Sequence, residues 1–162
     1  ALLQWRGFKA DDFARSHPGG ALGRKLLTRV EDLMRTDASV PRVHPQASMG
    51  ELLHEMSAKG LGASAVVDEA QQLLGIFTDG DLRRLIDRGE DIRTLKAADV
   101  MHANPKRIHP HALAAEAAAL MEANRITSVL VVNDAGQLVG ALNSHDLMRA
   151  DRREGRRRRL VT

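Results

Sequence analysis

Thr78 and Asp81 stand three residues apart, directly after the apolar run Gly75-Ile76-Phe77. At the start of a helix such a pair offers a hydroxyl to a phosphate or ribose and a carboxylate to two ribose hydroxyls, while the exposed amides favour an anion. Helix capping explains the same two residue types, because Thr and Asp both accept from the amides of a first turn. Both readings stand at this point. The stretch from Gly75 to Leu82 recurs 65 positions later as Gly140-Ala141-Leu142-Asn143-Ser144-His145-Asp146-Leu147. There Asn143 replaces the Thr and His145 replaces a glycine, whose place a ring would fill, while Asp146 is kept. A further chemistry-bearing residue, His17, lies in the glycine-rich Ser16-His17-Pro18-Gly19-Gly20; on its own it reads as a loop histidine.

Other patterns carry less. Gly19 to Lys25 is superficially like a phosphate-binding loop, but the spacing to the lysine is wrong and Leu26 stands where Ser or Thr belongs. His54-Glu55 lacks the second histidine of a zinc-protease helix, which would fall at Ala58. His102, His109, His111 and His145 form no local ligand pattern, so no metal site is expected.

The elements that position Thr78 and Asp81 follow from the duplication. Arg42-Val43-His44-Pro45 matches Arg107-Ile108-His109-Pro110, Met56 matches Met121, and Val66-Val67 match Val131-Val132, all in one register. A gapless register of this length marks a tandem repeat. In the first copy Arg42 to His44 is a short strand. Ser48 and Glu51 have capping-box spacing ahead of a helix carrying Leu52, Leu53 and Met56 and ending near Gly60. Ala63 to Val67 and Leu73 to Phe77 form a hairpin through Asp68 to Gln71, and a second helix from Asp79 buries Leu82, Leu85 and Ile86. The second copy has its helix from about Ala112 to Asn124, strands at Ser128 to Val132 and Leu138 to Leu142, and a turn at Asn133-Asp134-Ala135-Gly136. Each unit reads β-α-β-β-α. Alone, each would leave apolar surface wet, and two packed together would cover it. The expected fold class is therefore α+β, a tandem pair of such units.

Composition narrows the function classes. One Trp, three Phe and no Tyr among 162 residues argue against a stacking platform for single-stranded nucleic acid, which needs exposed rings. The absence of Cys excludes disulfides and thiolate metal sites and suits a reducing compartment. No apolar run reaches membrane-spanning length, so a cytoplasmic protein without a membrane partner is expected. From Arg149 to Thr162 seven Arg face Asp151 and Glu154, a local charge of +5 against a total of +3. The rest is near neutral. The tail reads as a solvated, disordered terminus rather than a nucleic-acid arm.

A duplicated β-α-β-β-α unit carrying Gly-x-hydrophobic-Thr-x-x-Asp-Leu resembles a CBS domain pair, over residues 30 to 150. The resemblance implies ligand clefts between two pseudo-symmetric units, nucleotide binding, and regulation of an attached enzyme or channel. On it, Thr78, Asp81, Asn143 and Asp146 are the ligand-binding candidates. Ser16-His17-Pro18-Gly19-Gly20-Ala21-Leu22-Gly23-Arg24-Lys25-Leu26, directly before the repeat, resembles the end of the sugar-isomerase (SIS) domain of the arabinose 5-phosphate isomerase family.

That family interconverts ribulose 5-phosphate and arabinose 5-phosphate for synthesis of Kdo, the acidic sugar of lipopolysaccharide, and its members are commonly tetramers. The resemblance implies that His17 belongs to the active site of a parent enzyme, where a group titrating near neutrality suits proton shuttling. The expected division is an isomerase remnant over 1–29, CBS units over 30–92 and 93–150, and the basic tail over 151–162, with the chain read as a piece of a longer protein that is not catalytic by itself. No cofactor is required. A regulatory nucleotide, either CMP-Kdo or an adenine nucleotide, is the expected ligand, and the expected partners are the chain's own SIS domain and further copies of the chain. A ligand-free module that holds isomerase domains together is the alternative.

Overall fold

The computed structural model describes residues 27–148. Helix α1 is Val30–Leu33, followed by strand β1 (Arg42–Val43), α2 (Met49–Lys59), β2 (Ala63–Val67), β3 (Leu73–Thr78) and α3 (Asp79–Asp87). Then come α4 (Ala97–Val100), β4 (His102–Ala103), β5 (Arg107–Ile108), α5 (Ala114–Asn124), β6 (Ser128–Val132) and β7 (Leu138–Asn143). Residues 144–148 are helical again and are termed α6. The two β-α-β-β-α units thus form as the repeat requires.

Local chemistry sets the boundaries. Ser48 Oγ accepts from the Glu51 amide (3.1 Å), starting α2, and Gly60 ends it at φ 62°, a conformation that costs glycine nothing. Met49, Leu52 and Met56 lie three and four residues apart and are buried on one face. In each unit a parallel strand pair is extended by a hairpin. Arg42 pairs with Ala65 and Ala63 with Thr78 in the first, while Arg107 pairs with Leu130 and Ser128 with Asn143 in the second.

Strands β2 and β6 are buried at all five positions, so both of their faces must be covered. Ala65 and Val67 face Leu130 and Val132 across the junction of the units, together with Leu73, Leu138 and Ala141. Val66 and Phe77 turn the other way, onto Leu52, Met56 and Leu85. Each such large side chain contributes about 1.5–3 kcal/mol by leaving water. The hairpin tips clasp each other as well: the Gln72 amide donates to Ala135 O (2.8 Å) and that of Gln137 to Ala70 O (3.2 Å). Ile86 departs from expectation. It is 61% exposed, because the buried stripe of α3 runs through Asp81 and Leu85 and Ile86 lies one step around the helix.

The short helices before the repeats cross over. Val30 of α1 is fully buried among Ala117, Met121, Val129 and Leu142 of the second unit, and Ala97 of α4 is fully buried among Leu52, Val66 and Phe77 of the first. Backbone bonds hold both: Val30 N–H to Ala112 O (2.8 Å) and Ala97 N–H to Ala47 O (2.9 Å). The residues that follow continue the exchange. Arg35 bridges to Ala141 on β7, and β4 pairs with β3. Gly75 and Gly140 make room for this. A Cβ on Gly75 would lie 2.8 Å from His102 O and would meet the Met101 sulfur, and one on Gly140 would lie 2.9 Å from Arg35 O and would meet the Met34 sulfur.

Candidate functional site

Thr78 ends β3 and caps α3. Its hydroxyl accepts from the Asp81 amide (3.2 Å), and its own amide donates to Asp81 Oδ2 (2.9 Å), a reciprocal capping box. The second carboxylate oxygen of Asp81 receives Arg84 Nη2 (2.5 Å) and His102 Nε2 (2.6 Å). Asp81 is only 5% exposed. Burial by itself pushes its carboxyl up, but the Arg84 guanidinium, the Thr78 amide, the His102 ring and the Thr78 hydroxyl together outweigh that and hold it below the usual carboxylate range. An ionised carboxylate only accepts, so His102 carries its proton on Nε2 here.

A cavity of about 480 Å³ opens over this pair. Thr78, Asp79, Gly80, Asp81 and Arg84 form one wall, the crossing His102 another, and Lys106 and the segment Arg125 to Ser128 of the second unit the third. Arg125 ends α5 in the left-handed conformation (φ 52°, ψ 43°) that Gly60 adopts at the matching place in the first unit.

The corresponding cleft of the second unit is built differently. Asn143 Oδ1 accepts from the Asp146 amide and the Asn143 amide donates to Asp146 Oδ2, both at 2.9 Å, so Asn143 replaces the Thr as cap. Arg35 Nε then covers the Asp146 carboxylate at 3.1 and 3.3 Å, while its Nη1 donates to Lys59 O (2.7 Å) at the end of α2. A cavity of about 690 Å³ takes in Asn143, Ser144 and His145 beside Met56, Leu82 and Asp79, but not Asp146. His145 is exposed along its rim, and the group seated on Asp146 is the guanidinium of Arg35. Among the described residues no cluster of His, Asp and Glu could hold a metal ion, and no helix is long and apolar enough to cross a membrane.

Residues 30–88 and 97–153 each match the CBS domain family. The chain belongs to that family. This CBS pair is also 52% identical over 150 residues to an arabinose 5-phosphate isomerase, KdsD, of Salmonella typhi, a match covering 93% of the chain and 45% of that relative's length. The chain therefore spans about half the length of the curated relatives it matches. Among solved structures, CBSX2 in complex with AMP superposes with a TM-score of 0.68 at 24% identity, over 78% of this chain and 98% of the other. The CBS domain pair of MJ0100, solved with 5'-methylthioadenosine and S-adenosyl-L-methionine, gives 0.67 at 24% identity, over 76% and 98%. At that identity the likeness establishes the fold.

The four ligand candidates of the CBS pair thus fall at two adjoining clefts, whose cavities share Gly62, Asp79 and Thr127. Thr78 and Asp81 line the first, Asn143 lines the larger cavity by the second, and Asp146 is covered. His17 lies outside the described residues, as do residues 1–26 of the expected isomerase remnant and the whole basic tail. Motif reasoning did not single out Arg35, Arg84, Lys106 and Arg125, and it weighed His102 only as a metal ligand. For Arg35 and His102 a signal existed: each follows an acid-hydrophobic-Met triplet, Asp32-Leu33-Met34 or Asp99-Val100-Met101. For Arg125 the signal was a helix ending without glycine where its repeat partner has Gly60.

Proposed function

We propose that this CBS pair is the regulatory part of a cytoplasmic arabinose 5-phosphate isomerase, and that its first cleft senses a nucleotide-bearing ligand. Identity of 52% to KdsD supports the first half. The observation that carries the second is the cavity in which Thr78 and Asp81 lie across from Lys106 and Arg125, a hydroxyl and carboxylate facing cations of the other unit. A ribose at the first pair and a phosphate toward the cations match that arrangement chemically. Occupancy would draw the two units together across the cleft. It would bias the attached isomerase only so far as the ligand prefers one arrangement of the pair over another. In the parent, His17 would serve the transfer of a proton between adjacent carbons through an enediol.

The test is a thermal-shift panel on the 162-residue chain with AMP, ATP, CMP, CMP-Kdo and arabinose 5-phosphate, with Thr78→Ala and Asp81→Ala beside the native sequence. A ligand of the native state raises Tm. The sensor reading requires a rise with at least one nucleotide that both substitutions abolish. No rise with any compound at millimolar concentration rejects it in favour of a ligand-free assembly module. That second reading draws on Arg35, which already occupies the carboxylate of the second cleft.

A further inference from the structure

Lys106 and Arg125 differ from the other nitrogen-bearing side chains of the first cleft. Arg84 and His102 are engaged by Asp81. The side chains of Lys106 and Arg125 make no hydrogen bond or ion pair with any of the described residues, yet both line the cavity. Asp79 is the remaining acid on the wall, so the cavity keeps a net positive charge once Asp81 is matched by Arg84. Arg125 also holds a left-handed backbone at φ 52°, which a glycine would adopt without cost and a side chain does not. The repeat positions that match Lys106 and Arg125, 65 residues earlier, carry Pro41 and Gly60.

We propose that Lys106 and Arg125 are specificity-determining residues that make the first cleft select ligands by their phosphate charge, and that the chain binds one such anion per molecule, in that cleft alone. This rests on the sensor reading above. A nucleoside lacking phosphate gains nothing from the two cations, whereas each added phosphate is drawn to them. Among the described residues neither cation lines the second cavity, and Arg35 holds Asp146 beside it.

The test is calorimetric titration of the whole chain with two series, adenosine, AMP and ATP, and cytidine, CMP and CTP. In the series that binds, affinity should rise with phosphate number, fall with added salt, and saturate at one ligand per chain. Arg125→Gly and Lys106→Met should each lower triphosphate affinity by about tenfold and leave the weak nucleoside binding where it was. The melting temperature of Arg125→Gly should stay level or rise, since glycine relieves the left-handed backbone. A residue with a merely structural role would move stability instead. Nucleoside binding as tight as triphosphate binding, triphosphate affinity within about twofold of native in both variants, or two ligands per chain overturns the selection by charge and leaves the sensor reading intact. No binding in either series also overturns the selection by charge, and the sensor reading then stands or falls on the CMP-Kdo arm of the thermal-shift panel.

Discussion

The two clefts share their frame and part at one crossing residue. In each, a Met-plus-one residue from the exchanged segment reaches the carboxylate of the opposite unit: His102 meets Asp81, and Arg35 meets Asp146. Arg35 is long and forked enough to hold Asp146 and the Lys59 carbonyl together, with side-chain exposures of 18% and 10% for Arg35 and Asp146. His102 is 64% exposed and leaves a cavity beside it. A duplicated fold thus gives two frames in which the protein itself engages both carboxylates, Arg84 and His102 on Asp81 and Arg35 on Asp146, and the frames differ in the side chain that crosses over.

The largest expected effect tests that division. Arg35→Met strands the Asp146 carboxylate and the Lys59 carbonyl, and should cost about 2–3 kcal/mol in urea unfolding. His102→Ala, at an exposed contact, should cost under about 1 kcal/mol. Equal losses would mean that the crossing residue does the same work in both clefts, and the comparison would fail. Next in size, Gly75→Ala and Gly140→Ala should each destabilise by about 1–3 kcal/mol, because the added methyl meets a backbone carbonyl that cannot step aside. Matched losses would show that the exchange itself is symmetric.

Val30→Ala, about 1.5–2 kcal/mol, sharpens the same point by location. Hydrogen exchange should quicken in β6 and β7 of the second unit, with β2 and β3 of the first spared, since Val30 packs on Ala117, Met121 and Val129. Loss of protection in the first unit instead would contradict the crossover.

The smallest effect is electrostatic. The ordinary value for the Asp81 carboxyl is 3.8, and its folded value lies lower. Between the two, the unfolded chain binds a proton that the folded chain does not, so stability rises with pH through that window. The contribution is complete above 3.8 and is lost as pH falls through the folded value. Asp81→Asn should flatten this part of the curve when Tm is followed from about pH 2 to about pH 6. An unchanged acid limb would show that the Arg84 and His102 contacts do not hold the charge.

The strands, the two long helices and the repeat were legible from local pattern. Ala63 to Val67 and Ser128 to Val132 are β-branched and apolar runs of strand length, and Ser48 and Gly60 bracket α2 by capping chemistry alone. Thr78 and Asp81 were legible as a pair, and so was their ambiguity: the structure makes them a cap and a cavity wall at once. Ile86 was misplaced because apolar character at i, i+3 and i+4 does not say which of two adjacent positions faces the core.

What the amino-acid order by itself determined was the unit, its duplication and the residues at each helix start, all of which depend on neighbours a few positions away. Only the tertiary structure decided the partners. That Val30 is apolar says it will be buried, but it is buried in the second unit, with the carbonyl of Ala112, 82 positions on, accepting its amide proton. That Arg35, Lys106 and Arg125 are cations says each needs water or an anion, and chain order is silent on which. Folding brings Arg35 to Asp146 across 111 positions and leaves Lys106 and Arg125 facing a cavity. The cause is physical: charge and burial are satisfied by whatever lies nearest in space, and the crossover of α1 and α4 sets that distance.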